Sequence, residues 1–204
     1  MAEISEQTII ERARRGSVDA FNMLVRRYQD AVYTLAYRML GDPAAADDAA
    51  QEAFISAYRK LDSYRGGSFK SWLLRITANL CLDDLRRVKR QRTDYLDDLA
   101  PEDSADGPPL PSNETPPEEA AEQAELAAAI QRCINNLTTE HRAVLVMSDV
   151  EGFAYGEIAA ALETQVGTVK SRLSRARLAM RRCLAGIAGI MELLPPEVRP
   201  TSDD

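Results

Sequence analysis

The sequence predicts an all-α protein of two small helical domains joined by an extended acidic linker. Three observations carry that expectation. Apolar residues recur at gaps of three and four along most of the chain, the spacing of one helical face, and no useful length alternates with period two. Aromatic residues make up only 6% of the 204 positions, which suits small helical cores rather than packed sheets. Charge is also segregated: residues 1–92 hold 16 basic and 12 acidic residues, 93–131 hold 11 acidic residues and no Lys or Arg, and 132–204 hold nine of each. The middle stretch contains six of the ten prolines, from Pro101 to Pro117. Like charge and proline keep such a segment from burying enough apolar surface to offset its ordering entropy. The expected layout is therefore a first unit over 1–93, a linker over 94–116, a second unit over 117–184 and a tail over 185–204.

Each element has a local reason. A short helix is expected near 5–15, separated by Gly16 and Ser17 from the next. In 18–40, Phe21, Leu24, Val25, Tyr28, Val32, Leu35, Ala36 and Met39 form one helical stripe. Gly41 stops it. Asp42-Pro43 restarts the chain, because Asp at the N-cap accepts from the free amides of the first turn and Pro at the first helical position has no amide to waste. That helix is expected to run to about Leu61, followed by a loop over Asp62–Ser68. Ser68 can cap a further helix with Phe69, Trp72, Leu73, Ile76 and Leu80 on one face, continuing into the basic run 86–92. After the linker, Pro117 opens a helix to about Asn136 and Thr138 caps another over roughly 139–149. Two last helices, Tyr155–Leu162 and Gly167–Leu184, flank the break Glu163-Thr164-Gln165-Val166.

Composition also narrows function. No window approaches the ~18 uninterrupted apolar residues of a membrane span, and MAEISEQTII lacks the basic and apolar regions of a signal peptide. A cytoplasmic chain with no membrane insertion is expected. Cys81, Cys133 and Cys183 make no zinc pattern; their odd number and wide spacing lead us to expect reduced thiols. One histidine, His141, excludes His-dependent triads and most metal sites. No catalytic residue, metal or cofactor is expected, and the chain is not expected to be an enzyme.

The sharpest local feature is the last helix pair. Residues 170–182 hold Lys170, Arg172, Arg175, Arg177, Arg181 and Arg182 with no acid among them. Ile158, Ala159, Leu162, Val166, Val169 and Leu173 are spaced to form a small core between two helices. Gly167 and Thr168 lie where the second helix starts, so their amides can face a phosphate. This is the pattern of a helix-turn-helix, whose second helix enters the major groove by its N-terminal end. The helix 43–61 carries a polar, acidic face of Asp48, Gln51, Glu52, Ile55 and Arg59, suited to a basic helical partner, with Ala46, Ala49, Ala50, Ala53, Ala57, Tyr58 and Leu61 on the opposite side. In 62–92, Tyr64, Arg65, Phe69, Lys70, Trp72 and Arg75 interleave rings with positive charge, as single-stranded nucleic acid requires. Phe69 and Trp72 are expected in the core, whereas core and exposed roles for Tyr64 stay open. Asn79 follows Trp72 by about two turns, and its amide can donate and accept at a base edge.

These stretches together resemble a bacterial extracytoplasmic-function sigma factor of the sigma-70 family. The likeness runs from about Ile9 to Leu184, through AFNMLVRRYQDAVYTLAYRML, DDAAQEAFISAYRKLDSYRGGSFKSWLLRITANLCLDDLRR and VGTVKSRLSRAR. It implies that the first unit is region 2, which docks on the β′ clamp helices of core RNA polymerase and melts the −10 promoter element. It implies that the second is region 4, which binds the −35 element and the β flap. By position, Asp48, Gln51, Glu52 and Phe54 match the polymerase-docking helix. Tyr64 and Asn79, with Arg75 between them in the chain, match the segment that captures a flipped base. Thr168, Lys170, Ser171, Arg172, Ser174 and Arg175 match the −35-reading helix. An anti-sigma factor is the implied antagonist, and stress response the implied setting. The chain departs from the family where Ala154 replaces a Ser or Thr cap and where Glu163-Thr164-Gln165 replaces a Gly- or Pro-bearing turn.

A free-standing helix-turn-helix regulator would explain 155–184 but leaves the acidic face of 48–59 without a role. A sigma-mimicking adaptor would not need so basic a last helix. The acidic linker has the charge pattern of single-stranded RNA, which makes it a candidate placeholder in the RNA exit channel of polymerase.

Overall fold

The computed structural model describes residues 5–94 and 117–187. The elements are α1 (Glu6–Arg14), α2 (Val18–Leu40), α3 (Pro43–Arg59), a 3₁₀ turn (Leu61–Ser63), α4 (Phe69–Asp94), α5 (Pro117–Asn135), α6 (Thr139–Leu145), a π turn (Val146–Val150), α7 (Tyr155–Ala161) and α8 (Val166–Ala185). No strand occurs among the described residues. The linker reading falls mostly on 95–116, outside them, as does the tail beyond Ile187.

Helix starts follow the capping residues. The Ser17 hydroxyl accepts from the Ala20 amide at 3.3 Å, Asp42 from Ala45 at 2.8 Å, Ser68 from Ser71 at 3.1 Å and Thr138 from His141 at 3.4 Å. Gly41 closes α2 at φ 77°, a left-handed conformation that costs glycine little. A side chain there would also meet the end of the exposed Asn135 side chain, which is free to shift, so it is the φ that favours glycine.

The first unit is a bundle of α1–α4. Leu24, Val32, Leu35 and Met39 of α2 meet Ala46, Ala53 and Ala57 of α3 and Phe69, Leu73, Leu74 and Ala78 of α4, all buried. Alanine on α3 lets its backbone lie close to its neighbours, while each large buried side chain contributes about 1.5–3 kcal/mol. In the second unit, Ala143, Val144, Val146 and Met147 pack on Ile158 and Ala159 of α7 and on Val169, Leu173 and Ala176 of α8.

Three boundaries differ from expectation. Helix α3 ends at Arg59, and Leu61 turns inward from the 3₁₀ segment that follows. The expected helix 139–149 is α only to Leu145; it widens into a π turn that ends with the Phe153 amide donating to the Met147 carbonyl at 2.9 Å. Both of those side chains are buried, so the extra residue in the turn serves packing. Helix α8 starts at Val166, one residue early, after Glu163 takes a left-handed φ of 49°.

The two units pack against each other. The end of α2 meets α5 and the π turn, and α4 meets α6 and α7. Buried Arg142 of α6 donates to the Met39 carbonyl at 2.7 Å and to the Asn135 carbonyl at 2.6 Å. Buried Gln131 of α5 donates to the Tyr37 carbonyl at 3.3 Å and accepts from Arg38 at 3.0 Å. Lys70 of α4 pairs with Glu151 at 3.4 Å. One buried apolar cluster runs through both units.

The cysteines depart from the reduced state expected of them. Cys133 and Cys183 form a disulfide across 50 residues of sequence, tying α5 to the end of α8, with Cα atoms 5.7 Å apart. Wide spacing in the chain conceals a pair that the helices bring side by side. Cys81 is a buried free thiol, and burial pushes its pKa up to about 12.

Candidate nucleic-acid interface

Helix α8 turns Val169, Leu173 and Ala176 to the core, and that choice orients the rest of it. Lys170, Ser171, Ser174 and Arg175 stand exposed on its outer side, while Thr168 and Arg172 are partly buried. The Ser171 hydroxyl donates to the Thr168 carbonyl at 3.0 Å. Gln165 caps the helix with extended backbone and no side-chain bond. The first amides therefore point outward at the positive end of a 20-residue helix, where an anion is favoured. Val166, expected in the core, is 41% exposed, because it occupies the first helical position beside that open end. Tyr155, Lys170, Leu173, Ser174, Arg177 and Arg181 line an open cavity of ≈ 290 Å³ against α7.

The charge of α8 is not wholly free. Arg177 makes a two-pronged pair with Asp149 of the π turn, Nε to Oδ2 at 2.8 Å and Nη2 to Oδ1 at 2.7 Å. Burial pushes the Asp149 carboxyl up, but the bonds from Arg177 and Ser148 outweigh it and hold it below its ordinary value. The partner of Arg177 lies 28 residues earlier, which is why a count of acids within the helix does not reveal it.

On α4, Arg75 and Asn79 are exposed one turn apart on the same side. Tyr64 is different. It is only 3% exposed, its hydroxyl donates to the Gly67 carbonyl at 2.6 Å, and its ring packs 5.5 Å from Phe69 and 5.6 Å from Trp72. Of the two roles left open for Tyr64, the structure takes the core one: the side chain supports the loop from inside. Gly66 and Gly67, at φ 97° and 87°, let the loop curl back over the ring to receive that hydroxyl. Asp83 and Asp84 pair with Arg86 and Arg87, neutralising part of the basic run.

On α3, Asp48, Gln51 and Glu52 are exposed with Ile55, whereas Phe54 is partly buried against the core. Tyr58, expected on the inner face, is 42% exposed and lies edge-on to Phe21 with centroids 4.9 Å apart. It extends the apolar strip begun by Ile55, 45% exposed, beside the acidic residues. Its i+3 relation to Ile55 is the signal that could have found it. Among the described residues no cluster of His, Cys, Asp and Glu could hold a metal, and no helix is long and apolar enough to cross a membrane.

Two helical units with these surfaces match known families. The sigma-70 region 2 model matches residues 24–91 and the sigma-70 region 4 model residues 127–180. The chain is 39% identical over 171 residues to the ECF RNA polymerase sigma factor SigE of Mycolicibacterium smegmatis, covering 84% of this chain and 64% of that relative's length. It is 36% identical over 187 residues to the RNA polymerase sigma-H factor of Pseudomonas aeruginosa, covering 90% of this chain and 96% of that one. Among solved structures, it resembles the sigma factor RpoE in complex with the anti-sigma factor NepR from Bartonella quintana, with TM-score 0.65 and 25% identity, over 83% of this chain and 99% of that one. The chain belongs to the sigma-70 family, among the extracytoplasmic-function sigma factors.

Proposed function

We propose that this chain binds core RNA polymerase in the cytoplasm and directs it to promoters, with no enzymatic chemistry of its own. The observation that carries the reading is the pairing of an exposed acidic face on α3 with an exposed basic face on α8 in a chain that matches both sigma regions. Asp48, Gln51 and Glu52 dock on the β′ clamp helices, with Phe54 holding the helix from the core side. Lys170, Ser171, Ser174 and Arg175 read the −35 element, Thr168 and Arg172 support that contact, and the second unit rests on the β flap. Asn79 and Arg75 meet the −10 strand during melting, with Tyr64 shaping their loop. The units divide as 1–93 and 117–184, joined by the acidic linker. An anti-sigma factor controls the chain, a reading supported by solved relatives bound to such partners. Transcription with core polymerase on a short promoter template tests the proposal. The purified chain should make polymerase start at one defined site, and starts that do not depend on it would overturn the reading.

A further inference from the structure

We propose that Gln165 and Val166, where α8 begins, are two further specificity-determining residues of the −35 contact: the Gln165 amide reads an adenine, and the Val166 methyls meet the methyl of a neighbouring thymine. The inference rests on the −35 reading proposed for α8 and extends it to two side chains that the fold itself does not employ.

Gln165 holds the N-cap position of α8 without capping it. At α1, α2, α3, α4 and α6, the side chains of Ser5, Ser17, Asp42, Ser68 and Thr138 accept from an amide of the first turn. At α7 the Glu157 carboxylate returns to the Ala154 amide at 3.0 Å. The short polar side chains suit that bond. Gln165 is a methylene longer than asparagine, makes no such bond and is exposed. Its backbone is nonetheless held on both sides. The Thr164 amide donates to the Ala159 carbonyl at 2.9 Å, and the Gln165 carbonyl accepts from the Val169 amide at 3.1 Å. An uncommitted carboxamide thus leaves from a fixed point, which limits the entropy lost when a partner orders it. Val166 is an independent observation. It is 41% exposed, although Val169 and Leu173 of the same helix are buried.

A major groove offers partners to both side chains. A carboxamide can donate to adenine N7 and accept from adenine N6 at once, and an apolar group fits the C5 methyl of thymine. Position agrees with chemistry. A recognition helix enters the groove by its N-terminal end, so residues 165 and 166 arrive ahead of Lys170 and Ser174. Gln165, Thr168 and Arg172 also fall at i, i+3 and i+7, along one edge of α8. The amide is therefore in line with two residues already placed against DNA. Neither Gln165 nor Val166 carries charge, so their contacts select bases rather than add general attraction to phosphate.

The test uses the full chain with core polymerase and a duplex library randomised across the upstream element. The unmutated chain should select an A·T pair with a thymine beside it. Gln165→Glu turns a group that donates and accepts into one that only accepts, so preference at that pair should move from adenine to cytosine, whose N4 donates. Gln165→Ser supplies a capping hydroxyl. Its thermal midpoint should hold or rise, while discrimination at that pair falls by about 5- to 150-fold, the ratio equivalent to about 1–3 kcal/mol. Deoxyuridine in place of the neighbouring thymine removes only the methyl. The unmutated chain should bind that duplex more weakly, and Val166→Ala should bind the two duplexes alike. Arg175→Ala separates this inference from the reading beneath it. If that variant relaxes another pair while both Gln165 variants keep the adenine preference, or if deoxyuridine binds the unmutated chain as well as thymine does, the inference is overturned and the −35 reading stands. If the unmutated chain selects no upstream sequence, both fall.

Discussion

The guanidinium of Arg142 donates to the main-chain carbonyl of Met39 across 103 residues of sequence. It fills the end of α2 with a donor from the second unit, and its Nε is buried without a partner. Burial holds its pKa below the ordinary arginine value, a sign that this charge is carried at some cost. Arg142→Met keeps the volume and removes both the cost and the donors. Each lost bond to a buried carbonyl costs about 1–3 kcal/mol, while exchange of a buried charge for an apolar chain can return a similar amount. Urea unfolding should therefore shift little, while the distance between the units increases. A large loss of stability with the units still together would contradict this balance.

Docking on polymerase is predicted to rest on charge at α3. Asp48→Ala with Glu52→Ala removes two exposed carboxylates and leaves the buried alanine face untouched. Truncating one member of a charge pair buried at an interface costs about 2–5 kcal/mol. Helical content and thermal midpoint should be unchanged, and affinity for core polymerase should fall by two orders of magnitude or more, an estimate from that same cost at about 1.4 kcal/mol per tenfold. Titration against core polymerase measures it.

Arg175 and Arg177 are predicted to separate in a binding assay. Arg175 is exposed on the outer side of α8, whereas Arg177 is committed to Asp149. A two-pronged arginine contact to guanine gives about 1–3 kcal/mol of discrimination. Arg175→Ala should relax preference at one or two base pairs of the −35 element. Arg177→Ala should weaken binding on every sequence alike, because it loosens the π turn behind α8 as well as removing a charge. A base-substitution series on both variants decides, and equal losses across it would reject the division.

Acid should test the Asp149–Arg177 pair. The folded Asp149 carboxyl lies below its ordinary value of 3.8, so folding favours its charged form. The resulting stability is complete above the ordinary value and is lost as pH falls through the lowered one. Both partners touch solvent, so the pair contributes about 1 kcal/mol or less. Asp149→Asn should lower stability near neutral pH by that amount, and the difference from the unmutated chain should vanish at acid pH. Thermal melts across pH 2–7 (about the span that covers carboxylate titration) would show it.

The helical architecture was legible because its signals are local. Asp42-Pro43, Ser68 and Thr138 act within one turn of themselves, and the stripe of α2 needs only its own periodicity. What escaped the sequence depends on distant partners. Asp149 and Arg177 meet because α6 and α8 pack together, and Cys133 meets Cys183 for the same reason. Tyr64 could be either core or surface until the Gly66-Gly67 loop bent back to accept its hydroxyl proton. Among the candidate site residues, the exposed faces of α3 and α8 were readable from spacing alone. The outward position of Tyr58 was signalled by its i+3 relation to Ile55, whereas the interior position of Tyr64 was not readable, because it turns on how neighbouring rings share space.

Helix α3 assigns two different histories to its two sides. Ala46, Ala53 and Ala57 have no accessible surface, and an extra methylene in such a place costs about 1–3 kcal/mol. Few changes there survive. Asp48, Gln51, Glu52 and Ile55, one turn or less away, carry almost no packing and can change without endangering the fold. Drift along this helix is thereby channelled outward. A lineage can retune which partner it binds through single substitutions, while the inner side keeps the helix in the position from which any partner must find it.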